Sequence, residues 1–252
     1  MLQEEEFVNN NLSWDKYLNH ISIDCVVFGF HEGALKVLLV KMKGIDELYL
    51  PGAFVLKEES LEDAASRILK ERTGAENIFL KQFYTFGDPH RSEYHIQKYK
   101  EAFEHDEEFF TNRFISIGFY ALVDYTDVNT SPDVYSEDCN WYEIPDLPTL
   151  ILDHNLILNK ALEALRIQLN YQPIGLNLLP REFTMSELQK MYEVILNKKL
   201  DRRNFQRRML SFDILTRHDT PRKSGAHKAP YLYSFCLEKY NNALKEGLRG
   251  GW

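Results

Sequence analysis

Runs of apolar residues, many of them β-branched or aromatic, recur along the first 144 residues and are separated by short polar turns. Runs of this length and composition are typical of strands that are buried on one or both faces. They predict strands at Ile21–Phe30, Leu35–Met42, Leu48–Val55, Asn77–Phe86, Phe114–Val123 and Cys139–Ile144. The polar turn around Gly33 joins the first two strands into a hairpin.

Between these runs the spacing of apolar residues changes to that of a helix. After Val55, apolar residues recur three and four positions apart, at Leu61, Ala64, Ala65, Ile68 and Leu69. Ser60 is a natural N-cap with Asp63 three residues later, and Gly74 stands where a left-handed C-cap belongs. A second helix is predicted from about Asn155 to Asn170. Strands that alternate with helices predict an α/β sandwich for residues 1–170.

The pattern changes again after Tyr171–Gly175, where the periodicity breaks and a domain boundary is predicted. Thr184 and Glu187 form a capping box that opens a helix, a short turn follows, and Asp201 caps a second helix, Arg202–Ser211. Phe205 and Met209 share one face of that helix, so they are expected to point into a core.

Two short strands follow the helix pair, Asp213–Arg217 and Tyr231–Phe235, and a basic loop joins them. Two helices with a short turn, followed by a strand pair with a basic tip, form a winged helix-turn-helix pattern. The sequence therefore predicts a first domain at 1–170 and a winged helix-turn-helix domain at 171–252.

Charge divides at the same place as the pattern. The net charge of the 252 residues is −8, but residues 1–170 carry −15 and residues 171–252 carry +7. An acidic body with a basic C-terminal region indicates that the second region meets a polyanion. A hydrophobic content of 44% supplies a large core and excludes a wholly disordered chain.

Cysteine usage and the N-terminus indicate the compartment. The chain has an odd number of cysteines, and they are far apart: Cys25, Cys139 and Cys236. This favours reduced thiols over a disulfide framework or a zinc site. The N-terminus is acidic and has no apolar signal segment, and no apolar run is long enough to span a membrane. We therefore expect a cytoplasmic protein.

The stretch Leu50–Ala75 resembles the Nudix box, in which a Gly is followed by a Glu and then by Arg-Glu-aliphatic-x-Glu-Glu-x-Gly. The leading Gly falls on Ala53, the first Glu on Glu59 and the Arg on Arg67. The three later Glu positions fall on Ile68, Glu71 and Arg72. The resemblance implies a Nudix α/β/α sandwich whose box has lost two of its three late carboxylates.

This loss bears on the chemistry. Positions 68, 71 and 72 are expected to share one helix face, which in active members of the family offers carboxylates to Mg²⁺. Here Ile68, Glu71 and Arg72 have a summed charge of about zero. Metal-assisted hydrolysis needs ions that bind phosphate and activate water. The sequence thus predicts no catalytic residues, no metal and no cofactor.

Taken with the basic region, the whole chain resembles the Nudix-related transcriptional regulators. The second-domain resemblance is carried by Gly175–Pro180, Phe183–Thr184 and Asp201–Arg208. It implies a homodimer that binds operator DNA, acts as a repressor, and responds to a pentose, a phosphosugar or an ADP-ribose-like metabolite. Loss of the metal face favours an uncharged or singly phosphorylated sugar.

The DNA-binding prediction falls on the second helix of the pair and on the loop between the two strands. Arg, Asn and Gln can make bidentate contacts with base edges, and Lys suits phosphates. The predicted DNA-binding residues are Arg202, Arg203, Asn204, Gln206, Arg207, Arg208, Lys223 and Lys228. Alternatives are a solvated helix that carries Arg for solubility and a protein-interaction module.

The effector prediction falls on the box and on one arginine that follows it. Carboxylates would bind hydroxyl groups, and Arg67 or Arg91 would bind a phosphate. The predicted effector-binding residues are Gly52, Phe54, Glu59, Arg67, Glu71 and Arg91. The alternatives are that Arg67 and Glu71 form a structural ion pair and that Phe54 is a core residue.

Two further alternatives concern catalysis and the charged segment Glu93–Arg113. A residual hydrolase acting on a nucleoside diphosphate sugar would use Glu58, Glu59 and Glu71, with Glu104 or Asp106. The segment Glu93–Arg113 is interpreted as a solvated helical insertion, with a lid or a dimer contact as the alternative. His90, His95 and His105 lack the spacing of a ligand set and are expected at the surface.

Overall fold

The computed structural model describes residues 14–74, 78–91, 93, 98, 112–128, 130, 132, 136–221 and 230–248. The N-terminal region is built on a seven-stranded mixed sheet with the strand order β3-β2-β1-β6-β5, in which β4 pairs with β1 and β7 with β2. Its strands are β1 (Tyr17–His31), β2 (Ala34–Met42), β3 (Leu48–Tyr49), β4 (Gly52–Leu56), β5 (Phe79–Phe86), β6 (Ile115–Val123) and β7 (Ser136–Glu143).

Strand β1 is the one around which the sheet is arranged. It has 15 residues and pairs with β2 and β4 in antiparallel fashion and with β6 in parallel fashion. Its side chains alternate between the two faces of the sheet, as they do in any strand. Both faces are therefore buried over the middle of β1, which explains its continuous apolar sequence.

Among the described residues, one helix covers each face of the sheet. Helix α1 (Leu61–Thr73) packs on the face that carries Ile23 and Cys25 of β1, and helix α2 (His154–Gln168) packs on the face that carries Val26. This arrangement of helix, sheet and helix confirms the predicted α/β/α sandwich.

The C-terminal region forms the predicted winged helix-turn-helix. It contains β8 (Phe183–Thr184), α3 (Met185–Leu196), α4 (Arg202–Ser211), β9 (Leu215–Pro221), β10 (Tyr231–Phe235) and α5 (Leu237–Glu246). The strands form a sheet in the order β8-β10-β9, and all pairs are antiparallel. Phe205 and Met209 of α4 are 2% and 0% exposed, which confirms that they face the core.

A single hydrophobic interior joins the two regions. Leu165 of α2 and Met191 of α3 are both fully buried in the same cluster of apolar side chains. Across the joint, Arg166 Nε donates a hydrogen bond to Ile195 O at 2.8 Å, and in the boundary segment Pro173 O accepts one from Tyr240 Oη at 2.9 Å. The interior thus continues across the position at which the sequence loses its periodicity.

The predicted strand Leu48–Val55 is interrupted, and the cause is a proline. Strand β3 ends at Tyr49 and β4 begins at Gly52. Pro51 has no N–H for a strand ladder, and the N–H of Leu50 instead donates to Nδ1 of His154 at 3.0 Å. Neither residue therefore offers an N–H to a strand ladder, although Pro51 O still accepts from the N–H of Cys25 at 2.7 Å.

Other boundaries differ from the predictions by a few residues. A short 3-10 turn (Trp14–Lys16) precedes β1, which begins at Tyr17 rather than Ile21. Strand β9 begins at Leu215 because Asp213 takes a left-handed conformation with φ 56°. Strand β8 and helix α5 have no counterpart among the predicted elements.

Two further predictions can be compared with the described residues, and a third cannot. All three cysteines are free, with Cys25 and Cys139 buried and Cys236 half-buried. Among the helices that the structure describes, none has the length and apolar composition needed to cross a membrane. Most of the segment Glu93–Arg113, including Glu104 and Asp106, lies outside the described residues.

Candidate functional site

The box helix α1 is fixed at both ends by the caps that the sequence predicts. Ser60 Oγ accepts a hydrogen bond from the N–H of Asp63 at 3.1 Å. Gly74 adopts a left-handed conformation with φ 63° and donates its N–H to Lys70 O at 2.9 Å. A side chain at this conformation would be strained, so glycine is the residue that suits this helix end.

Arg67 fastens the loop before α1 to the helix. Its Nε and Nη2 donate to the two oxygens of Glu59 at 3.1 and 2.6 Å, and Nη2 also donates to Phe54 O at 3.1 Å. Glu59 accepts another hydrogen bond from the N–H of Leu56 at 2.8 Å. The hydrogen bond from Arg67 holds the pKa of Glu59 below its usual value. Four predicted effector residues are therefore close together: Phe54, Glu59, Arg67 and Glu71.

The ion pair between Arg67 and Glu71, which is the alternative interpretation of these two residues, is present but is weaker than the pair with Glu59. Arg67 Nη1 lies 3.7 Å from Glu71 Oε1, which is longer than either contact with Glu59. The Glu71 side chain is 57% exposed, whereas that of Glu59 is 12% exposed. Of the two carboxylates, Glu71 is the one that solvent and a ligand can reach.

Aromatic rings lie beside this group. The Phe54 ring is 6.0 Å from that of Tyr17 and 5.4 Å from that of Phe114, and Phe114 is 5.7 Å from His20. All four side chains are half-buried. Phe54 is therefore neither a fully buried core residue nor an isolated surface ring. It belongs to a partly exposed aromatic cluster next to Arg67.

Gly52 has a packing role at this place. A Cβ added to it would come within 2.8 Å of Ile23 O and 2.9 Å of Asp24 Oδ1. Strands β1 and β4 approach each other closely because residue 52 has no side chain. The structure thus explains the glycine by the contact between two strands.

Only one of the three former metal positions is exposed, which corrects the expectation that all three share one helix face. Ile68 is 1% exposed in the core beneath α1, and Arg72 is 7% exposed with its Nη1 donating to Ser136 Oγ at 3.0 Å. Glu71 is on the exposed side of the helix. Within the described residues, no three His, Cys, Asp or Glu side chains are grouped so that they could hold a metal ion.

Arg91, which is predicted to bind the effector, is paired with carboxylates of the protein. Its Nε and Nη2 donate to the carboxylate of Asp153 at 2.8 and 2.7 Å, and Nη2 lies 3.7 Å from Asp24 Oδ2. The side chain is only 6% exposed. Burial alone would lower the pKa of Arg91, but the bonds to Asp153 and the charge of Asp24 outweigh burial and raise it. Arg91 is a buried structural cation.

Arg91 belongs to a buried polar network that is not predicted from the sequence. Asp24 accepts a hydrogen bond from Ser116 Oγ and lies 3.4 Å from Nε2 of His154. His154 accepts from the N–H of Leu50, so its Nε2 is the nitrogen that can donate to Asp24. One signal was available, since Asp24 is a lone carboxylate within an apolar strand. His90, in contrast, is exposed as expected.

Helix α4 presents most of its predicted DNA-binding residues to solvent. Arg202, Arg203, Asn204 and Arg207 are exposed, and Arg207 Nη2 donates to Asn204 Oδ1 at 3.1 Å. Asp201 accepts from the N–H of Asn204 at 2.9 Å and begins the helix.

Gln206 and Arg208 are half-buried and lie nearer to the protein than the other polar residues of α4. The Arg208 guanidinium stands 5.9 Å from the centre of the Phe212 ring, and burial lowers its pKa. The wing residues Lys223 and Lys228 lie outside the described residues.

Comparison with known proteins gives two family matches. The model of the NUDIX domain matches residues 18–165. The model described as the NrtR DNA-binding winged helix domain matches residues 175–235. The first match covers α1, the pair of Arg67 with Glu59, and the buried network around Arg91. The second match covers α3, α4 and strands β8 to β10.

One curated relative and two solved structures are similar over most of the chain. A protein of Acinetobacter baylyi described as an ADPR responsive transcriptional repressor, NtrR, is 26% identical over 228 residues, which cover 88% of this chain and 84% of the relative. NrtR of Shewanella oneidensis, crystallised with a 27mer DNA, is 24% identical with a TM-score of 0.73, covering 93% of this chain and all of that one. A MutT/nudix family protein of Enterococcus faecalis is 20% identical with a TM-score of 0.64, covering 92% and 93%.

Proposed function

The chain belongs to the NUDIX family and joins its NUDIX domain to an NrtR-type DNA-binding winged helix, and from this we propose that it is a transcription regulator that binds operator DNA under the control of a small-molecule effector. The observation that carries the proposal is the exposed polar face of α4, on which Arg202, Arg203, Asn204 and Arg207 stand together. A helix of this composition, next to a wing, suits the major groove of DNA.

DNA binding can be tested on promoter fragments labelled for fluorescence anisotropy. Affinity should fall steeply as salt rises, because binding releases counterions from the phosphates. The double variant Arg203→Ala with Arg207→Ala should abolish specific binding, while Lys160→Ala on the sandwich should leave it unchanged. Full affinity in the double variant would show that α4 is not the recognition helix.

We propose an ADP-ribose-like nucleotide sugar as the effector, with the box region as its site. The curated relative is described as ADPR responsive. The half-buried rings of Tyr17, Phe54 and Phe114 could stack on a base, and the exposed Glu71 could accept hydrogen bonds from ribose hydroxyls. Because Arg67 is held by Glu59, a phosphate group would have to compete with that carboxylate.

A thermal-shift screen tests the effector and its site together. A ligand that binds only the folded protein raises its Tm, so ADP-ribose, AMP, ribose 5-phosphate and free pentoses should be compared. ADP-ribose should give the largest shift, and Phe54→Ala should reduce it. Tyr84→Ala, which removes an exposed ring from β5, is the control. A larger shift with a free pentose would overturn the nucleotide assignment.

We propose that the regulator is a repressor, since the relative is described as one. Effector binding would then change the affinity for the operator. Anisotropy titrations with and without ADP-ribose measure the sign of this change directly. A promoter fusion whose expression falls when the gene is deleted would identify an activator instead.

We also propose that the NUDIX domain does not hydrolyse its ligand. Two of the three late carboxylate positions hold Ile68 and Arg72, and both side chains are buried. Glu58 and Glu59 remain, but the carboxylate of Glu59 is bound by Arg67. The test is product formation from nucleoside diphosphate sugars with millimolar Mg²⁺. Metal-dependent turnover that disappears in Glu71→Gln would contradict this proposal.

The remaining proposals concern organisation. We propose domains at 1–170 and 171–252, a homodimer as the DNA-binding form, and a cytoplasmic location, where bacterial DNA is found. A winged helix that binds a two-fold symmetric operator needs two copies with matched spacing. Light scattering coupled to gel filtration gives the mass in solution, and a monomer at micromolar concentration would argue against a stable dimer.

A further inference from the structure

A cavity of about 490 Å³ lies between the sandwich and the winged helix, away from the box. It is lined by the turn after β1, the end of β7 with the 3-10 turn that follows, helix α2, and the end of helix α3. The lining residues are Gly33–Leu35, Glu143–Pro145, Leu162, Arg166, Val194 and Asn197. Its volume is within the range of about 300–1,000 Å³ that small-molecule sites occupy.

The walls of this cavity are mostly apolar. Leu35 and Leu162 are 4% and 6% exposed and belong to the interior shared by the two regions. Ile144 and Val194 pack against the same interior. A ligand that fills the cavity would therefore need an apolar ring or chain as its main body.

Arg166 supplies the polar group at this site. Within the described residues, its guanidinium makes one hydrogen bond, from Nε to Ile195 O at 2.8 Å, and no ion pair. That bond fixes the guanidinium against the last turn of α3 and leaves its other N–H groups without a protein acceptor among those residues. A positioned guanidinium with free N–H groups is suited to a bidentate contact with a carboxylate.

The charges around Arg166 favour an anion. The carboxylate of Glu143, which also lines the cavity, forms an ion pair with Lys36 Nζ at 3.6 Å rather than with Arg166. Lys190 of α3 lies beside the turn between β1 and β2. A Cβ added to Gly33 of that turn would lie 3.2 Å from Lys190 Cε. Its ammonium group has no hydrogen bond or ion pair within the described part of the chain. The C-terminal carbonyls of α3 oppose an anion, but one of them is bound by Arg166.

We propose that this cavity binds a small amphipathic monocarboxylate, with the carboxylate on Arg166 and an apolar ring or chain between Leu35, Leu162 and Val194. The site is separate from the effector site proposed for the box, and its existence does not depend on DNA binding. A ligand held there contacts both the sheet and α3, so its binding stabilises the packing of one region against the other.

The probe for this site is 4-fluorobenzoate, observed by ¹⁹F NMR with the full-length protein. The neutral 4-fluorobenzamide has nearly the same shape and serves as the control ligand. Charged hydrogen bonds contribute about 1.5–3 kcal/mol, so the benzoate should bind at least about tenfold more tightly than the amide. Acetate, which lacks the apolar body, should not displace it.

Variants distinguish binding in the cavity from nonspecific attraction of the anion to positive charge. Arg166→Gln should weaken 4-fluorobenzoate binding at least about tenfold. Arg217→Gln removes an exposed arginine from β9, outside the cavity, and should change nothing. Ala34→Phe and Val194→Trp each fill the cavity and should block binding while Arg166 is intact. Two filling variants are used so that one that fails to fold does not remove the test.

The result that supports the site is saturable benzoate binding that is weakened at least about tenfold in Arg166→Gln and blocked in at least one folded filling variant. Equal binding of benzoate and benzamide would overturn the role of Arg166. Unchanged binding in Arg166→Gln, or in folded Ala34→Phe and Val194→Trp, would overturn the site. Absence of saturable benzoate binding to the unmodified protein would overturn it as well.

Discussion

Helix α1 of the Nudix box and helix α4, which we propose as the recognition helix, both carry arginines, but the surroundings of those arginines differ. In α1, Arg67 is bonded to Glu59, and Arg72 donates to Ser136, so both guanidinium groups are engaged inside the protein. In α4, Arg202 and Arg203 are exposed, and neither has an ion-pair partner within the described residues.

This difference separates two physical roles that a charge count cannot distinguish. A cation that is paired within the fold holds segments together, and its charge is largely cancelled for any external partner. A cation that is exposed and unpaired adds little to stability, but it can bind phosphates or base edges. The first kind of arginine should affect unfolding, and the second kind should affect DNA affinity.

The largest effect is expected for Arg91→Ala. Arg91 is another paired arginine of the sandwich, and its side chain is only 6% exposed. Removing the guanidinium leaves Asp153 and Asp24 without their counter-charge, and the free energy of unfolding should fall by about 3–5 kcal/mol. Urea unfolding measures the change, with Arg203→Ala as the matched control, expected within about 0.5 kcal/mol. Equal losses in the two variants would break the distinction between paired and unpaired arginines.

The next largest effect is expected for an exposed arginine of α4, and it concerns DNA affinity. Arg203→Lys keeps the charge but loses the planar fork, so affinity for the operator should fall by about 1–3 kcal/mol if Arg203 contacts a base. The free energy of unfolding should be unchanged. Anisotropy titration and urea unfolding on the same preparation give both numbers. A loss of stability without a loss of affinity would place Arg203 in the paired class.

Arg67→Gln tests the half-exposed pair, for which an intermediate result is expected. The Arg67 side chain is 29% exposed, so losing its bonds to Glu59 and Phe54 O should lower the free energy of unfolding by about 1–2 kcal/mol. Operator affinity without effector should be that of the unmodified protein. Arg67→Lys, which can still donate to Glu59, should lie between the two proteins in stability. If the Lys variant is less stable than the Gln variant, the pair is not what holds the loop.

The smallest effect is a dependence on pH. The pKa of Glu59 is lowered in the folded protein, chiefly by the hydrogen bond from Arg67, so its stabilising contribution is present above the unfolded pKa of about 4.3. That contribution is lost as the pH falls through the lower folded value. Between pH 6 and pH 3, Glu59→Gln should therefore lose less stability than the unmodified protein. If the free energy of unfolding falls equally with pH in the two proteins, the hydrogen bond from Arg67 does not lower the pKa of Glu59.

Local rules were enough for the elements whose signals lie within one segment. The caps at Ser60, Gly74 and Thr184 are all formed as predicted, because each depends on residues three or four positions apart. The exposed face of α4 was predictable for the same reason, since a helical period assigns inside and outside along one segment. Strand β8 was missed because two residues carry no period.

The parts that were not predicted depend on contacts between distant segments. Arg91 was assigned to a ligand because the sequence did not place Asp153, 62 residues later, beside it. Likewise the aromatic cluster brings together Tyr17, Phe54 and Phe114 from three strands or their ends. A sequence shows which side chains could pair, whereas the sheet topology decides which of them do.

The interior shared by α2 and α3 bears on how such a protein can change in evolution. Leu165, Leu169 and Met191 are fully buried at the joint, so replacing the winged helix by another would expose apolar surface on the sandwich. A new DNA reader would have to bring side chains that fit α2. If α4 contacts the operator as proposed, variation in operator choice is therefore easier through the exposed residues of α4, such as Arg203 and Asn204, than through exchange of the whole domain.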